Sequence, residues 1–230
     1  MRPLIIAHRG DHTSAPQNSM EAFEAAINLG VDFIEFDVRR TKDGAYIIMH
    51  DGEIAGVPVG SLTFGEIIDI TRSTPLLLED VLESCGGRIG LDIDLKEDGY
   101  VSDILKAVGR YNIEQVIYTS FIDDALREVR LLQPSATTGL IVESLPSFDA
   151  VHDELSFVAR MEECGSNLIV PRRDIAKSFA VQKCNKNGML SMVWTVNSDD
   201  ELEQFIMMPE VYAIITDMPK RALAIRNGLR

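Results

Sequence analysis

Charged side chains stand at alternate positions in two apolar stretches of the sequence. Glu35 and Asp37 are two residues apart in one run, and Asp92, Asp94 and Lys96 repeat this spacing in a later one. Side chains two positions apart in a β-strand point to the same face, so each stretch presents its charges side by side. Unpaired buried carboxylates are costly, and a bound cation is the simplest way to stabilise Glu35 and Asp37. The ammonium of Lys96 can supply positive charge that an anionic substrate would meet.

Histidines at the ends of apolar runs are candidates for proton transfer. His8 is followed by Arg9 at the end of one run, and His50 is followed by an acid at the end of another. A single histidine in such a position is more often solvated or ion-paired than functional. Two of the four histidines, however, stand beside arginine and acids at such ends, and this conjunction predicts a site. His12 and His152 are interpreted as structural or solvated.

The elements that must position these side chains follow a regular alternation of short apolar runs and amphipathic stretches. This pattern is typical of a parallel sheet wrapped by helices. The predicted strands are Leu4–His8, Phe33–Val38, Tyr46–His50, Ile89–Lys96, Val116–Phe121, Thr138–Val142, Asn167–Pro171, Met192–Val196 and Ala213–Thr216. The predicted helices are Ser19–Leu29, Leu78–Ser84, Val101–Arg110, Asp123–Leu132, Asp149–Glu163, Asp174–Asn187 and Asp199–Ile206.

Only seven residues separate the second and third predicted strands. A parallel crossover needs about a dozen or more residues, so these strands should form an antiparallel hairpin that turns at Asp43-Gly44. Folding there brings residues 49–51 opposite residues 35–37, which returns His50 to the carboxylate pair. The other eight strands match a (β/α)8 barrel, whose active site forms at the C-terminal ends of the strands. An open doubly wound sheet is the alternative, but no G-x-G-x-x-G motif follows the first strand.

The composition argues against several classes of partner. The chain has 230 residues, 22 Lys and Arg against 36 Asp and Glu, and a net charge of −14. Binding to a phosphate backbone needs clustered basic residues, so neither nucleic acid nor an anionic membrane surface is expected as a partner. Three cysteines without a C-x-x-C pair favour neither a disulfide framework nor a thiolate zinc site. Without a secretory or membrane-spanning run, we predict a cytoplasmic protein with one domain over residues 1–230.

Nine short motifs follow one another along the chain. They are His8-Arg9-Gly10, Ala15-Pro16-Gln17-Asn18-Ser19, Glu35-Phe36-Asp37-Val38, Thr41-Lys42-Asp43-Gly44, His50-Asp51, Asp94-Leu95-Lys96, Ser120-Phe121, Trp194-Thr195-Val196-Asn197 and Thr216-Asp217-Met218-Pro219. In order and spacing they resemble the glycerophosphodiester phosphodiesterase family, and the match runs essentially from end to end.

The resemblance implies a (β/α)8 barrel that hydrolyses small phosphodiesters with one divalent cation. The residues to which it assigns roles are the acid–base pair His8 and His50, the phosphate-contacting Arg9 and Lys96, the pocket-rim Trp194, and the metal ligands Glu35, Asp37 and Asp94. Carboxylate oxygens select Mg²⁺ or Ca²⁺ over metals that prefer softer ligands. One histidine would remove the proton of a nucleophile while the other protonates the leaving oxygen.

Three features depart from the family pattern. The usual Glu-Asn-Thr is Gln17-Asn18-Ser19 here, the usual Glu-x-Lys is Asp94-x-Lys96, and the segment Gly52–Thr74 is short. Two alternatives to hydrolysis of glycerophosphodiesters therefore stay open. One is a phosphodiesterase for lysophospholipids or another phosphodiester, and the other is a barrel that binds phosphate esters without turning them over. The sequence leaves the oligomeric state undefined.

Overall fold

The computed structural model of the chain describes residues 2–111, 113–144 and 153–228 as an alternation of strands and helices. The strands are β1 (Leu4–His8), β2 (Phe33–Arg40), β3 (Tyr46–Ile48), β4 (Glu53–Ile54), β5 (Val57–Pro58), β6 (Gly90–Leu95), β7 (Val116–Ser120), β8 (Thr137–Val142), β9 (Leu168–Pro171), β10 (Leu190–Val193) and β11 (Val211–Thr216). The helices are α1 (Met20–Leu29), α2 (Phe64–Thr71), α3 (Leu78–Cys85), α4 (Val101–Arg110), α5 (Asp123–Leu132), α6 (Asp153–Cys164), α7 (Phe179–Lys186), α8 (Asp199–Ile206) and α9 (Pro219–Arg226), with a short 3-10 helix over Val59–Ser61.

Eight of the described strands form a closed parallel barrel. β1 pairs with β2 on one side and with β11 on the other, and β6 to β10 complete the ring in chain order. The pairing is parallel between each two neighbours in the ring. Closure through β1 and β11 confirms the predicted (β/α)8 barrel and excludes the open doubly wound sheet.

Alternation along each strand separates an outer from an inner apolar layer. Ile5 on β1 and Ile34 on β2 join the cluster that packs against the helices, together with Phe23 of α1. Their neighbours Ile6 and Phe33 belong to a second cluster built from strand residues around the ring. The same alternation sends the polar residues at the C-terminal ends of β1 and β2 to the inner face, where the inner apolar layer stops.

The predicted hairpin is confirmed. β3 runs antiparallel to the end of β2, with Val38 opposite Ile48 and Arg40 opposite Tyr46. The backbone N–H of Met49 donates to the carbonyl of Asp37 at 2.9 Å, which continues this register towards the carboxylate pair.

Several helix boundaries differ from the prediction. α7 begins at Phe179 rather than Asp174, because the Ser178 side chain accepts from the N–H of Val181 while the Asp174 carboxylate is held at 2.8 Å by Arg172. Two further helices, α2 and α9, were not predicted. α2 starts with a capping box between Thr63 and Glu66, a signature visible in the sequence, and α9 starts with a proline. Residues 149–152 of the predicted helix Asp149–Glu163 lie outside the described residues.

None of the helices in the described part of the chain combines the length and apolarity needed to cross a membrane.

Candidate active site

Strand register brings the predicted metal ligands together at the C-terminal end of the barrel. His8 on β1 lies opposite Glu35 on β2, and Asp37 on β2 lies opposite Asp94 on β6. Glu35 is 5% exposed, Asp37 1% and Asp94 4%. The register therefore places Asp94 of β6 beside Asp37, one inward-facing position beyond Glu35 on β2, and all three acids are buried.

Two cationic side chains and one amide contact the acidic residues. Lys96 Nζ lies 2.5 Å from Asp94 Oδ2 and 2.8 Å from Asp37 Oδ1. Arg9 Nε lies 3.3 Å from Asp37 Oδ2, and the side-chain amide of Asn18 donates to the same oxygen at 2.8 Å. The backbone N–H of Arg9 donates to Glu35 Oε2 at 2.9 Å. The acids are thus tied to the loop that follows β1 and to Lys96, the residue that follows β6.

Backbone strain accompanies these contacts. Arg9 and Asn18 both have a φ of 56°, in the left-handed region that non-glycine residues seldom adopt. Such conformations persist when the surrounding structure enforces them, and they cluster at functional sites. Here the N–H of Asn18 donates to the carbonyl of Arg9 at 3.0 Å, so the two strained residues hold each other beside Asp37.

The three carboxylates are electrostatically unequal. Burial, reinforced by the charges of Asp37 and Asp94, raises the pKa of Glu35 well above its ordinary value. Burial also raises the pKa of Asp94, against the opposing effect of Lys96. For Asp37 burial is outweighed by Lys96 and Arg9, which hold its pKa below the ordinary value. The positive charge of the site is therefore concentrated around Asp37, and Glu35 is the least compensated acid.

These residues fit a divalent cation. One ligand oxygen from each of Glu35, Asp37 and Asp94 can be chosen so that all three lie within 4.8 Å of one another. Asp94 Oδ1 is buried and has no hydrogen-bond partner among the residues that the structure describes, and a buried acceptor without a partner is costly. A hard cation is the natural partner for carboxylate oxygens, so both the donor set and the unpaired oxygen agree with the predicted metal site.

His8 is held by an acid from the far end of the chain. Its Nδ1 lies 2.7 Å from Asp217 Oδ1, and its Nε2 lies 4.0 Å from Glu35 Oε2. Asn197 donates to the other oxygen of Asp217 at 2.6 Å. Burial alone would raise the pKa of Asp217, but the hydrogen bond and charge of His8 hold it well below the ordinary range. Asp217 stays ionised and fixes the ring of His8, with Nε2 towards the carboxylates.

His50 has a similar arrangement with the acid that follows it. Its Nδ1 lies 2.8 Å from Asp51 Oδ1, and its side chain is 44% exposed. Arg39 fixes the backbone there, because a terminal nitrogen of its guanidinium donates to the carbonyl of His50 at 2.7 Å. The two histidines thus each present one ring nitrogen to a carboxylate, but His50 is far more open to solvent than His8.

All eight predicted site residues line one pocket of about 350 Å³. The rest of the lining is mostly apolar, with Phe121, Ile141, Val170, Trp194 and Ile215 beside the polar Thr119 and Glu143. Trp194 Nε1 donates to the carbonyl of Val170 at 2.9 Å, and its ring meets Phe121 edge-on at 5.8 Å. A larger groove of about 770 Å³ lies beside Tyr46 and α4, but it is lined by none of the predicted site residues.

The altered position Gln17 keeps a contact with the site. Its side-chain oxygen accepts a hydrogen bond from the guanidinium of Arg9 at 2.9 Å. The amide therefore supplies an acceptor to Arg9, but without the charge that the usual glutamate would bring.

Sequence reasoning missed four contributors to the site. In the sequence, Asn18, Asn197 and Asp217 stand out only as parts of motifs, and His12 is expected to be structural or solvated. The closed barrel supplies a signal for Asp217, since the pairing of Ala7 with Thr216 sets the next residues, His8 and Asp217, side by side. The contact of His12 Nε2 with Asp217 Oδ1 at 3.1 Å comes from a loop and has no such signal.

Comparison with known proteins identifies the family. The model of the glycerophosphoryl diester phosphodiesterase family matches residues 8–81 and 89–221. The chain belongs to this family.

Relatives and solved structures agree with this assignment. A glycerophosphodiester phosphodiesterase of Caldanaerobacter subterraneus is 30% identical over 262 residues, covering 99% of this chain and 100% of that protein. One from Bacillus altitudinis is 27% identical and covers 98% of this chain and 99% of its own. The crystal structure of a glycerophosphodiester phosphodiesterase from Parabacteroides distasonis superposes with a TM-score of 0.84 at 27% identity, over 99% of this chain and 98% of that one. The chain is therefore a phosphoric diester hydrolase of the glycerophosphodiester class.

Proposed function

We propose that the enzyme hydrolyses glycerophosphodiesters to glycerol phosphate and an alcohol with one divalent cation, Mg²⁺ or Ca²⁺, held by Glu35, Asp37 and Asp94. The observation that carries this proposal is the buried carboxylate cluster, with its unpaired Asp94 oxygen, in the same pocket as His8 and His50. A bound cation would neutralise negative charge that develops on the phosphate oxygens.

The two histidines are proposed as the acid and the base. A carboxylate has no proton to donate, so the contact of His8 Nδ1 with Asp217 requires a hydrogen on Nδ1. This leaves Nε2 of neutral His8 free to accept a proton on the pocket side. The contact of His50 with Asp51 selects the same tautomer. One ring takes the proton of the nucleophile as its oxygen bonds to phosphorus, and the other gives a proton to the leaving oxygen as its bond to phosphorus breaks.

Arg9 and Lys96 are proposed to attract and orient the phosphate. Both line the pocket, and both are anchored to Asp37, so their charges are fixed before a substrate arrives. Burial works to lower the pKa of Lys96, but Asp94, Asp37 and Glu35 raise it above the ordinary value. Lys96 therefore stays charged, and fixed charges aimed at a developing anion need no reorganisation during the reaction.

The activity is tested by measuring release of glycerol phosphate from a panel of glycerophosphodiesters, with Mg²⁺, Mn²⁺, Ca²⁺ or a chelator added. We expect turnover with a divalent cation and its loss on chelation. Binding of the diesters without hydrolysis under every metal condition would instead favour a phosphate-ester-binding barrel.

The metal assignment is tested by Asp37→Asn. We expect this change to abolish metal-dependent turnover, because it removes a ligand charge from the buried cluster, while circular dichroism and thermal unfolding show a retained fold. Asp98→Asn is the matched control, since Asp98 is an exposed carboxylate in the loop just after Lys96 and should keep wild-type turnover. A global loss of structure in Asp37→Asn would identify Asp37 as structural.

A second candidate substrate class is supported by the apolar wall of the pocket. Phe121, which forms part of this wall, is 40% exposed and meets Trp194 edge-on. An apolar surface at the mouth suits the acyl chain of a lysophospholipid better than a polar head group. Lysophospholipids therefore belong in the same panel, and a higher kcat/KM for them than for the deacylated diesters would favour this class.

A cytoplasmic location is also part of the proposal. Its support is the state of Cys85, Cys164 and Cys184, which are each free and buried, as in proteins of reducing compartments.

A further inference from the structure

Beside the carboxylate cluster, a second group of ligand atoms gathers around Asp217. Its Oδ1 lies 2.7 Å from His8 Nδ1 and 3.1 Å from His12 Nε2, and all three atoms lie within 4.8 Å of one another. The side chain of His8 is 17% exposed, that of His12 is 26% exposed and that of Asp217 is 30% exposed. They are sheltered but still reachable from solvent.

We propose that His8, His12 and Asp217 form a second metal site, specific for a borderline transition metal such as Zn²⁺, and that its occupation switches the enzyme off. The inhibitory part rests on the proposed acid–base role of His8, whereas the binding part stands on the geometry alone.

The donor set distinguishes this site from the carboxylate cluster. Two imidazole nitrogens and one carboxylate oxygen suit Zn²⁺, Co²⁺ and related ions, while Mg²⁺ and Ca²⁺ take oxygen ligands. Glu35, Asp37 and Asp94 offer only oxygens. The two clusters therefore select different metals, although His8 lies between them.

Asp217 is already oriented as a ligand. Asn197 donates to its Oδ2 at 2.6 Å, and the side-chain oxygen of Asn197 accepts from the backbone N–H of Asp217 at 2.9 Å. These contacts leave Oδ1 to the two imidazoles. Ligands fixed by such surrounding hydrogen bonds bind metals more tightly than free ones. Little rearrangement is needed for a cation to take the place of the hydrogens that now lie between Oδ1 and the two ring nitrogens.

Metal binding at Nδ1 changes what His8 can do. A neutral ring that coordinates through Nδ1 loses the hydrogen there and carries one on Nε2, so its charge is unchanged. Nε2 is the nitrogen that lies 4.0 Å from Glu35 on the pocket side. It then has a hydrogen and can no longer accept the proton of a nucleophile, and with Nδ1 bound to the metal the ring cannot carry the second hydrogen that the acid role needs. The same event displaces Nδ1–H from Asp217, and the cation replaces the hydrogen bond that fixes the ring.

The binding part is tested with Co²⁺ as a spectroscopic probe on the full chain. We expect one equivalent of Co²⁺ to give a d–d absorption band in the wild type and in Asp37→Asn, which disables only the carboxylate cluster. The band should be lost in His12→Gln and in His12→Asn, two variants of a loop residue. Retention of the band in both His12 variants, or its loss in Asp37→Asn, would overturn the site.

The inhibitory part is tested by titrating Zn²⁺ into enzyme saturated with Mg²⁺. The half-inhibiting Zn²⁺ concentration is compared within each variant, so it does not depend on the basal rate. We expect the half-inhibiting concentration to rise by about 10-fold or more in His12→Gln. Losing a residue that only supports a metal ligand already weakens metal binding by about 10-fold, and His12 is proposed as a ligand itself. Equal inhibition of wild type and His12→Gln would overturn the switch. If no substrate is turned over, the proposed function fails, while the Co²⁺ band still decides whether the site exists.

Discussion

At the scale of single residues, His8 connects the two halves of the site. One ring nitrogen contacts Asp217 at 2.7 Å and the other faces Glu35 at 4.0 Å. Burial raises the pKa of Glu35, whereas Asp217 is held ionised by His8. The ring therefore lies between an acid that favours the neutral form and an acid that stays charged. Such a contrast between neighbouring groups is a common feature of acid–base sites.

Replacing either His8 or His50 with alanine tests the proton transfers. Each change should lower kcat by about 10²- to 10⁴-fold, the usual contribution of general acid–base catalysis. Affinity for the substrate should change far less, because in the proposed mechanism Arg9, Lys96 and the cation provide most of the attraction for phosphate. In the wild type, kcat should follow a bell-shaped pH profile, because one ring must be charged while the other is neutral.

A binding assay with a non-hydrolysable diester separates the two effects. The result that contradicts the acid–base assignment is full turnover in both alanine variants, or a loss of turnover that a matching loss of affinity explains. His12→Gln is a useful comparison, because it changes a histidine near His8 that does not line the pocket.

Local periodicity predicted which charged side chains share a face, and long-range contacts limited the prediction. The spacing of Glu35 and Asp37 within an apolar run was enough to set both carboxylates on one face. The partnership of His8 with Asp217 spans 209 positions, and it depends on the closure of the barrel. Nothing in the local sequence marks such a contact, so Asp217 was recognised only as part of a motif.

At the scale of secondary-structure elements, the hairpin and the first loop position the site. The hairpin was predictable because its short connection forbids a parallel crossover, and its register carries His50 to the pocket. Other boundaries depended on side-chain competition. Asp174 was predicted to begin a helix, but its carboxylate pairs with Arg172, and Ser178 caps α7 instead.

Gly10 is required where the loop after β1 crosses α1. It has a φ of +84°, and a Cβ there would lie 2.7 Å from the backbone carbon of Ala22. Next to it, the N–H of Asp11 donates to the carbonyl of Ala22 at 2.9 Å, so the contact cannot open without breaking a hydrogen bond. The close approach fixes the position of Arg9, which precedes Gly10 in the chain.

Gly10→Ala should therefore lower both stability and turnover. A positive φ costs an alanine about 1 to 2 kcal/mol, and overpacking against backbone adds about 1 to 3 kcal/mol. The free energy of unfolding is measured by urea denaturation. Gly44→Ala is the matched control, since Gly44 has a φ of +88° but open space around the new Cβ. Equal losses in the two variants would show that the contact with α1 contributes nothing.

At the scale of the whole molecule, the net charge of −14 and the buried acids have the same consequence. We expect cations to associate with this protein in two ways, diffusely around its surface and specifically at the proposed site in the carboxylate cluster. Only specific binding depends on Asp94. Only specific binding should be stronger for a divalent salt than for NaCl at the same ionic strength. Thermal unfolding can separate them, because a ligand that binds only the native state stabilises it by mass action.

We expect Mg²⁺ or Ca²⁺ to raise the Tm of the wild type. At 100 times its Kd, a ligand adds about 2.7 kcal/mol, which corresponds to about 5 to 10 °C for a domain of this size. Asp94→Asn should lose this rise, because the change removes a ligand charge from the cluster. Calorimetry or dye-based melting, with NaCl at matched ionic strength as the reference, measures the difference. A rise of the same size in Asp94→Asn, or with NaCl alone, would assign the stabilisation to diffuse screening of the acidic surface and leave the carboxylate cluster without its proposed cation.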